Sequence, residues 1–198
     1  MSPPPRARAG GRRRSRARAR PWWLLVLLVA VAGGLTVARL VRAPGPGPRP
    51  VAATAAVDVF FVRYASAGTN GSLVSVSRRV PSGADAAKIE AALRALLAGP
   101  SAPERRQRLV SEVPRDTALR GVEVRGGVVT VDLSGPFGQG GGSASTLARV
   151  WQVVYTATQT PAAHAVQLTI DGRRLRALGG EGLMVDTPLE RPASMPTF

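Results

Sequence analysis

The sequence predicts an α+β fold in which a mixed, mainly antiparallel sheet carries two helices packed on one face, preceded by a single transmembrane helix. Three observations support this prediction. An uncharged apolar run occupies residues 22–38, five later segments have the composition and turn signals of strands, and two segments repeat apolar side chains at helical spacing. The expected order after the apolar run is β-β-α-β-β-α-β.

The first 56 residues are predicted to set the membrane topology. Eight Arg side chains lie between Arg6 and Arg20 without an acidic residue, so the positive-inside rule keeps residues 1–20 in the cytoplasm as an Arg-rich tail. Residues 21–41 form the transmembrane anchor, because the apolar run alone spans about 26 Å as a helix. Residues 42–56 form a Pro-rich linker, and the extracytoplasmic domain takes residues 57–195.

A cleaved signal peptide is the alternative interpretation of the apolar run. Small residues that could mark a cleavage site follow it at positions 41–43 and 53–55. The uncleaved anchor is favoured because the apolar run is longer than the apolar region of a usual signal peptide. Both interpretations export the domain, either as part of a single-pass protein of the cell membrane or as a secreted protein.

The distribution of charge argues against nucleic-acid binding. Residues 1–50 contain 11 Arg and no acidic residue, whereas residues 51–198 contain 16 basic and 12 acidic residues. The folded part therefore has a net charge of only +4, although a nucleic-acid-binding domain concentrates its positive charge on the folded module. No nucleic-acid partner is expected.

The first strands are predicted at residues 57–63 and 73–80, with Asn70-Gly71 as the hairpin turn between them. A helix follows, with Ser82 as its N-cap and Gly99-Pro100 at its end. Its apolar stripe consists of Ile89, Leu93, Leu96 and Leu97.

A second hairpin is predicted to turn at Gly126-Gly127 and to return over residues 128–133. The second helix starts at Ser143 or Ser145 and ends before Pro161, and a last strand covers residues 165–170. Residues 173–198 are expected to add a final turn and edge. The apolar stripe of the second helix consists of Leu147, Val150, Trp151, Val154, Tyr155 and Thr158.

Catalytic chemistry has few candidates in this sequence. Cysteine is absent, which excludes disulfides, thiolate zinc sites and thiol nucleophiles. Asp132, Ser134 and His164 are the materials for a Ser-His-Asp relay, but no Gly-x-Ser-x-Gly elbow surrounds Ser134. We expect Asp132 to be a turn acceptor and His164 a surface residue, and we predict no catalytic, cofactor-binding or metal-binding residue and no cofactor.

Other polar segments are interpreted structurally. The Gly-rich residues 138–143 lie where a phosphate-binding loop would lie but contain no Lys, so a flexible connection is expected. Trp151 and Tyr155 are expected to pack in the core. A solvated helix face is expected for Gln152, Thr156 and Gln159. A solvated loop, with contact to anionic lipid headgroups or wall polymer as the alternative, is expected for Arg105, Arg106 and Arg108.

Several segments, taken in order, resemble the GerMN domain of GerM-type sporulation and spore-germination proteins and of other bacterial envelope proteins. The resemblance covers residues 57–192. It is carried by Leu-Leu-x-Gly-Pro at 96–100, Pro-x-x-Thr-x-Leu at 114–119, Val-Asp-Leu-Ser at 131–134 and Tyr-Thr-x-Thr-Gln at 155–159. This chain has one such domain where the GerM-type protein has two, and it lacks the lipoprotein cysteine of many relatives.

The resemblance implies a non-enzymatic extracytoplasmic module that acts as a scaffold or interaction module in cell-envelope, sporulation or germination processes. Its expected partners are other envelope proteins or a second copy of itself, while a small-molecule ligand stays unspecified. Two alternatives remain open: a binder of cell-wall polymer or anionic lipid, and an envelope hydrolase.

Overall fold

The computed structural model describes residues 53–66, 69–179 and 183–198. The predicted tail 1–20, the predicted anchor 21–41 and the predicted linker up to residue 52 lie outside these residues. Within the described ranges, no helix combines the length and the apolar character needed to cross a membrane. The first strand begins at Thr54, so residues 54–56 belong to the domain and not to the linker in which they were predicted.

The first two strands form a long antiparallel hairpin, β1 at Thr54–Ser66 and β2 at Thr69–Pro81. The hairpin is confirmed, but the predicted turn at Asn70-Gly71 is wrong, since Ser66 pairs with Thr69 and both predicted turn residues lie within β2. Gly71 is required for another reason. It pairs with Tyr64, and a Cβ at Gly71 would lie 2.8 Å from Cε1 of the Tyr64 ring.

The first helix, α1, covers Asp85–Ala98 and ends at Gly99, whose φ of 78° favours glycine. Its N-cap is Ala84 and makes no side-chain cap bond, so the predicted cap at Ser82 is wrong. The N–H of Ser82 donates to the carbonyl of Ala53 instead, which extends the hairpin. A short helix that was not predicted, α2 at Ala102–Arg106, follows and begins with a capping box of Ser101 and Glu104.

The second large sheet contains a parallel pair of strands. Strands β4 (Leu119–Arg125) and β5 (Val128–Leu133) form the predicted hairpin, in which Gly126 and Gly127 both have positive φ. After the helix α3 (Ser143–Ala157), strand β6 (Ala165–Ile170) pairs parallel to β5. The short strands are β3 (Leu109–Val110), β7 (Arg173–Arg174), β8 (Ala177–Leu178), β9 (Leu183–Met184) and β10 (Leu189–Glu190).

The α+β class with mainly antiparallel pairing is confirmed, because β5–β6 is the single parallel pair among the described strands. The single predicted sheet is wrong: the strands form a three-stranded sheet in the order β2-β1-β3, a five-stranded sheet in which β10, β6, β5 and β4 are neighbours and β7 also pairs with β6, and the pair β8-β9. Both long helices contact β1, while α1 also contacts β4 and α3 also contacts β6, so the helices join the two large sheets.

The core lies on both faces of β1. Val59 and Phe61 point to the face that is covered by α1, while Phe60 and Val62 point to the opposite face. Because β1 is buried on both faces, its sequence is nearly continuously apolar from residue 59 to residue 62.

Candidate interaction surface

Helix α3 closes one edge of β1 with side chains. Thr156 accepts a hydrogen bond from the N–H of Phe60 at 3.2 Å, and the amide of Gln152 donates to the carbonyl of Phe60 at 2.9 Å. Gln159 accepts from the N–H of Asp58 at 2.6 Å and donates to its carbonyl at 2.7 Å. The predicted solvated face is therefore wrong, since Gln152 and Thr156 are fully buried.

These contacts make α3 a substitute for a strand. Alternate residues of a strand direct their N–H and C=O groups to the same edge, so Asp58, Phe60 and Val62 share the edge of β1 that faces away from β2. Val62 pairs with Val110 of β3, and α3 bonds the other two. This edge of β1 is consequently occupied along residues 58–62.

Glu112 connects β1 to α3 and was not singled out from the sequence. Its carboxylate accepts hydrogen bonds from the Tyr64 hydroxyl at 2.7 Å and the Ser145 hydroxyl at 2.6 Å, and its N–H donates to the Gln152 side chain at 2.8 Å. Burial and the Glu112 carboxylate raise the pKa of Tyr64, so the phenol stays protonated. This carboxylate therefore serves to position two elements, and an acidic residue between the buried Leu109 and Val113 was the available signal.

Arg149 holds the Gly-rich connection in place. This side chain is 2% exposed and donates to the carbonyls of Phe137 at 2.9 Å, Gln139 at 2.8 Å and Gly140 at 2.8 Å. The expected flexible connection is thus tied to α3 through its carbonyl groups. A phosphate-binding loop presents N–H groups, whereas this loop directs acceptors toward a cation. Burial lowers the pKa of Arg149.

The residues considered for a relay do not meet. Asp132 accepts from the Thr169 hydroxyl at 2.7 Å and from the N–H of Gly172 at 2.9 Å, which is the predicted role as a turn acceptor. Ser134 accepts from the N–H of Ala118 at 2.8 Å. His164 immediately precedes Ala165, which pairs with Val128 at the other end of β5. At about 3.3 Å per residue, it lies roughly 16 Å along the sheet from Asp132.

Trp151 and Tyr155 pack in the core as predicted. Their rings meet edge to face with centroids 6.3 Å apart, and Tyr155 also contacts Phe60 at 5.3 Å. Arg191 covers the Tyr155 ring at 4.8 Å and donates to the Tyr155 carbonyl at 2.6 Å. In the described part of the chain, no three His, Cys, Asp or Glu side chains are grouped to hold a metal ion.

The outer edge of β2 is the longest exposed edge of the hairpin. Gly71 exchanges both backbone hydrogen bonds with Phe198, and Ser72 pairs with Thr197. No described strand continues this pairing beyond Ser72. Because Gly71 faces outward, every second residue after it does so as well. These outward residues are Leu73, Ser75, Ser77 and Arg79, of which the last three are exposed.

A basic cluster, defined as Arg105, Arg106, Arg108 and Arg115, lies near the end of α1. Arg105 and Arg106 are in α2, so the predicted loop is wrong for these two residues, while exposure is confirmed for all of them. Arg105 and Arg115 line a cavity of about 560 Å³ beside Gly99 and Val110. None of the four forms an ion pair with a described acidic side chain.

Comparison with known proteins gives one family and a common fold. Residues 58–176 match the family model Germane, described as sporulation and spore germination. The tandem GerMN domains of the sporulation protein GerM from Bacillus subtilis superpose with a TM-score of 0.57 at 20% identity, covering 77% of this chain and 51% of that one. The first GerMN domain of the same protein gives 0.54 at 20% identity, covering 70% and 98%. This chain thus spans about half the length of the tandem structure, and no curated protein matches it.

Proposed function

Because the chain belongs to the Germane family of sporulation and spore germination domains, we propose that it is a non-enzymatic interaction module in spore or envelope assembly. The resemblance to the GerMN domain is confirmed by the family match and by the shared fold. The domain is proposed to face the outside of the cytoplasmic membrane on a single anchor.

The observation that supports binding over catalysis is the use of the polar side chains. Glu112, Arg149 and Gln152 bond backbone groups and neighbouring elements inside the domain. These are the side chains that a catalytic site would have to spare. The backbone groups along the outer edge of β2 face solvent instead, and exposed sheet edges bind extended segments of partner proteins.

The sequence before the domain supports the proposed location. Eight uncompensated Arg between Arg6 and Arg20 precede the apolar run, an arrangement that retains an N-terminus in the cytoplasm. Secretion after cleavage of a signal peptide is the alternative for the same segment.

The absence of cysteine allows a direct test of topology in the full chain. We expect Ser77→Cys to react with a membrane-impermeant maleimide in intact cells, because Ser77 is exposed on the domain. The matched variant Ser15→Cys, in the tail, should react only after lysis. Equal labelling of both positions in intact cells, or of neither, would refute the proposed orientation.

The interaction itself is tested by photocrosslinking in cells that are sporulating or remodelling their envelope. A photoreactive side chain at Ser77 should give discrete adducts with exported proteins, while the same group at the exposed Glu123 of β4 is the control. Adducts that are identical at the two positions, or their absence at Ser77, would count against an interaction module that uses this edge.

Binding of an anionic wall polymer is a second candidate, supported by the basic cluster. Its guanidinium groups are exposed and have no described carboxylate partner, so they are available to phosphate or carboxylate groups. The full chain with Gln at positions 105, 106 and 108 should sediment less with purified wall than the wild type. Gln at the exposed positions 173, 174 and 176 removes the same charge elsewhere, and equal losses in both variants would exclude a specific site.

A further inference from the structure

We propose that the outer edge of β2 pairs with the same edge of a second copy of this chain, antiparallel about a two-fold axis at Val76. This inference rests on the proposed function, because it names the partner that the β2 edge would bind. It continues the three-stranded sheet of one copy into that of the other.

The free part of the edge has defined limits. Thr197 and Phe198 occupy the outer side of Ser72 and Gly71. Pro196 would face Leu73 next, but proline has no N–H to donate, so the chain's own pairing stops there. Pro81 ends the strand at the other side. The remaining window, residues 73–79, has Val76 at its centre.

A two-fold axis at the centre of this window satisfies all of its outward groups. It places Ser75 opposite Ser77 of the second copy and Leu73 opposite Arg79, and all four residues direct their N–H and C=O groups outward. An axis at Ser75 would require Gly71, which already bonds Phe198, and an axis at Ser77 would place Pro81 opposite Leu73. The axis at Val76 is therefore the register that uses every free group and excludes proline.

Side chains also fit this register. Serine faces serine on the exposed side of the sheet, and Val76 faces its own copy on the other side. Arg79 lies opposite Leu73 and Arg78 opposite Val74, so no like charges face each other. Arg78 keeps its bidentate bonds to Glu104 of its own copy, at 2.7 and 2.6 Å, because that pair lies over the sheet face and not at its edge. The edge is thus self-complementary, as an isologous contact requires.

Disulfide trapping in membranes tests the contact on the full chain. Val76 pairs with itself in a non-hydrogen-bonded position, where Cα atoms are about 4.5 Å apart, within the range of roughly 4.4–6.8 Å that a disulfide spans. We expect Val76→Cys to give a crosslinked dimer under mild oxidation. Val110→Cys, on β3 at the opposite edge of the same sheet, is the control and should stay monomeric. Equal dimer from both variants would indicate random collision and overturn the proposal.

Charge substitution tests the register without an oxidant. In Ser75→Lys/Ser77→Lys each lysine at position 75 faces the lysine at position 77 of the other copy, so two like-charge pairs oppose the dimer. We expect its Kd, measured by sedimentation of the full chain in detergent, to weaken at least about tenfold. Ser75→Lys/Ser77→Glu should restore dimerisation because the same positions then attract. Both positions are exposed, so monomer folding is preserved, and equal Kd values for the two double variants would overturn the register.

The outcomes separate this inference from the proposed function. A monomeric chain that still forms edge-specific adducts with another protein at Ser77 would overturn the second copy as the occupant and retain an interaction module. A chain that shows neither dimer nor adduct would refute both. Edge-specific crosslinks together with the charge-dependent Kd would support both.

Discussion

Replacing Gln152 with Met tests whether α3 substitutes for a strand at the edge of β1. The substitution keeps the length of the side chain but leaves the carbonyl of Phe60 and the N–H of Glu112 without their partners. A buried group that loses its hydrogen bond costs about 1–3 kcal/mol, and the two groups together set a range of about 2–6 kcal/mol. Because Met gains some apolar burial, we expect a loss of about 3 kcal/mol, or roughly 10 °C in Tm for a domain of this size.

Gln167 provides a matched control for that substitution. It is 4% exposed, but its amide donates only a long bond of 3.3 Å to the Leu168 carbonyl, and its side-chain oxygen has no partner among the described residues. Gln167→Met removes an unsatisfied buried atom, so its stability should stay within about 0.5 kcal/mol of the wild type or increase. Thermal unfolding of the full chain in detergent, followed by circular dichroism, compares the two. Equal losses in both variants would refute the edge-closing role, as would unchanged hydrogen exchange at the Glu112 amide in Gln152→Met.

Two further substitutions test a turn and an ion pair. Gly127→Ala should destabilise by at least about 2 kcal/mol, because its φ of 82° disfavours a side chain and its Cβ would overlap the His164 ring. Adding His164→Ala should recover the part due to overlap in urea unfolding, and no recovery would contradict it. Hydrogen bonds from Arg78 lower the pKa of Glu104 to about 2, so the pair stabilises above the unfolded-state pKa of about 4.3 and is lost as the pH falls through 2. Glu104→Gln should therefore cost about 1 kcal/mol at pH 7 and nothing near pH 2, and a pH-independent cost would exclude the ion pair as its source.

Local signals predicted what is local in the fold. Gly126 and Gly127 form the predicted two-residue turn because both require positive φ, a property of the residues themselves. Gly99 ends α1 for the same reason. Asn70-Gly71 carries an equally strong local signal, yet it lies inside β2. The close approach of Tyr64 across the strand explains this glycine, and such a contact depends on the register of residues far apart in sequence.

The polar residues of α3 show where periodicity stops being informative. A polar stripe on a helix predicts solvent, because water satisfies polar groups in most surface helices. Here the stripe of Gln152, Thr156 and Gln159 has apolar residues on both sides, Val153 toward one core cluster and Tyr155 toward the other. That arrangement is compatible with a polar stripe facing backbone groups inside the domain, but the partner strand lies about a hundred residues earlier, and only the fold identifies it.

The two edges of the hairpin are treated differently, and the difference bears on what the domain binds. On β1, a helix places Gln152, Thr156 and Gln159 against the backbone, although burying these side chains is costly unless every group is bonded. On β2, Thr197 and Phe198 cover two residues and leave residues 73–79 exposed. An open edge of this length is an aggregation hazard unless it is blocked or used. Arg79 and Pro81 protect one end of it, but Ser75, Val76 and Ser77 carry no charge. An edge left open at its centre, in a domain that closes its other edge with buried amides, is the arrangement expected where a partner strand binds.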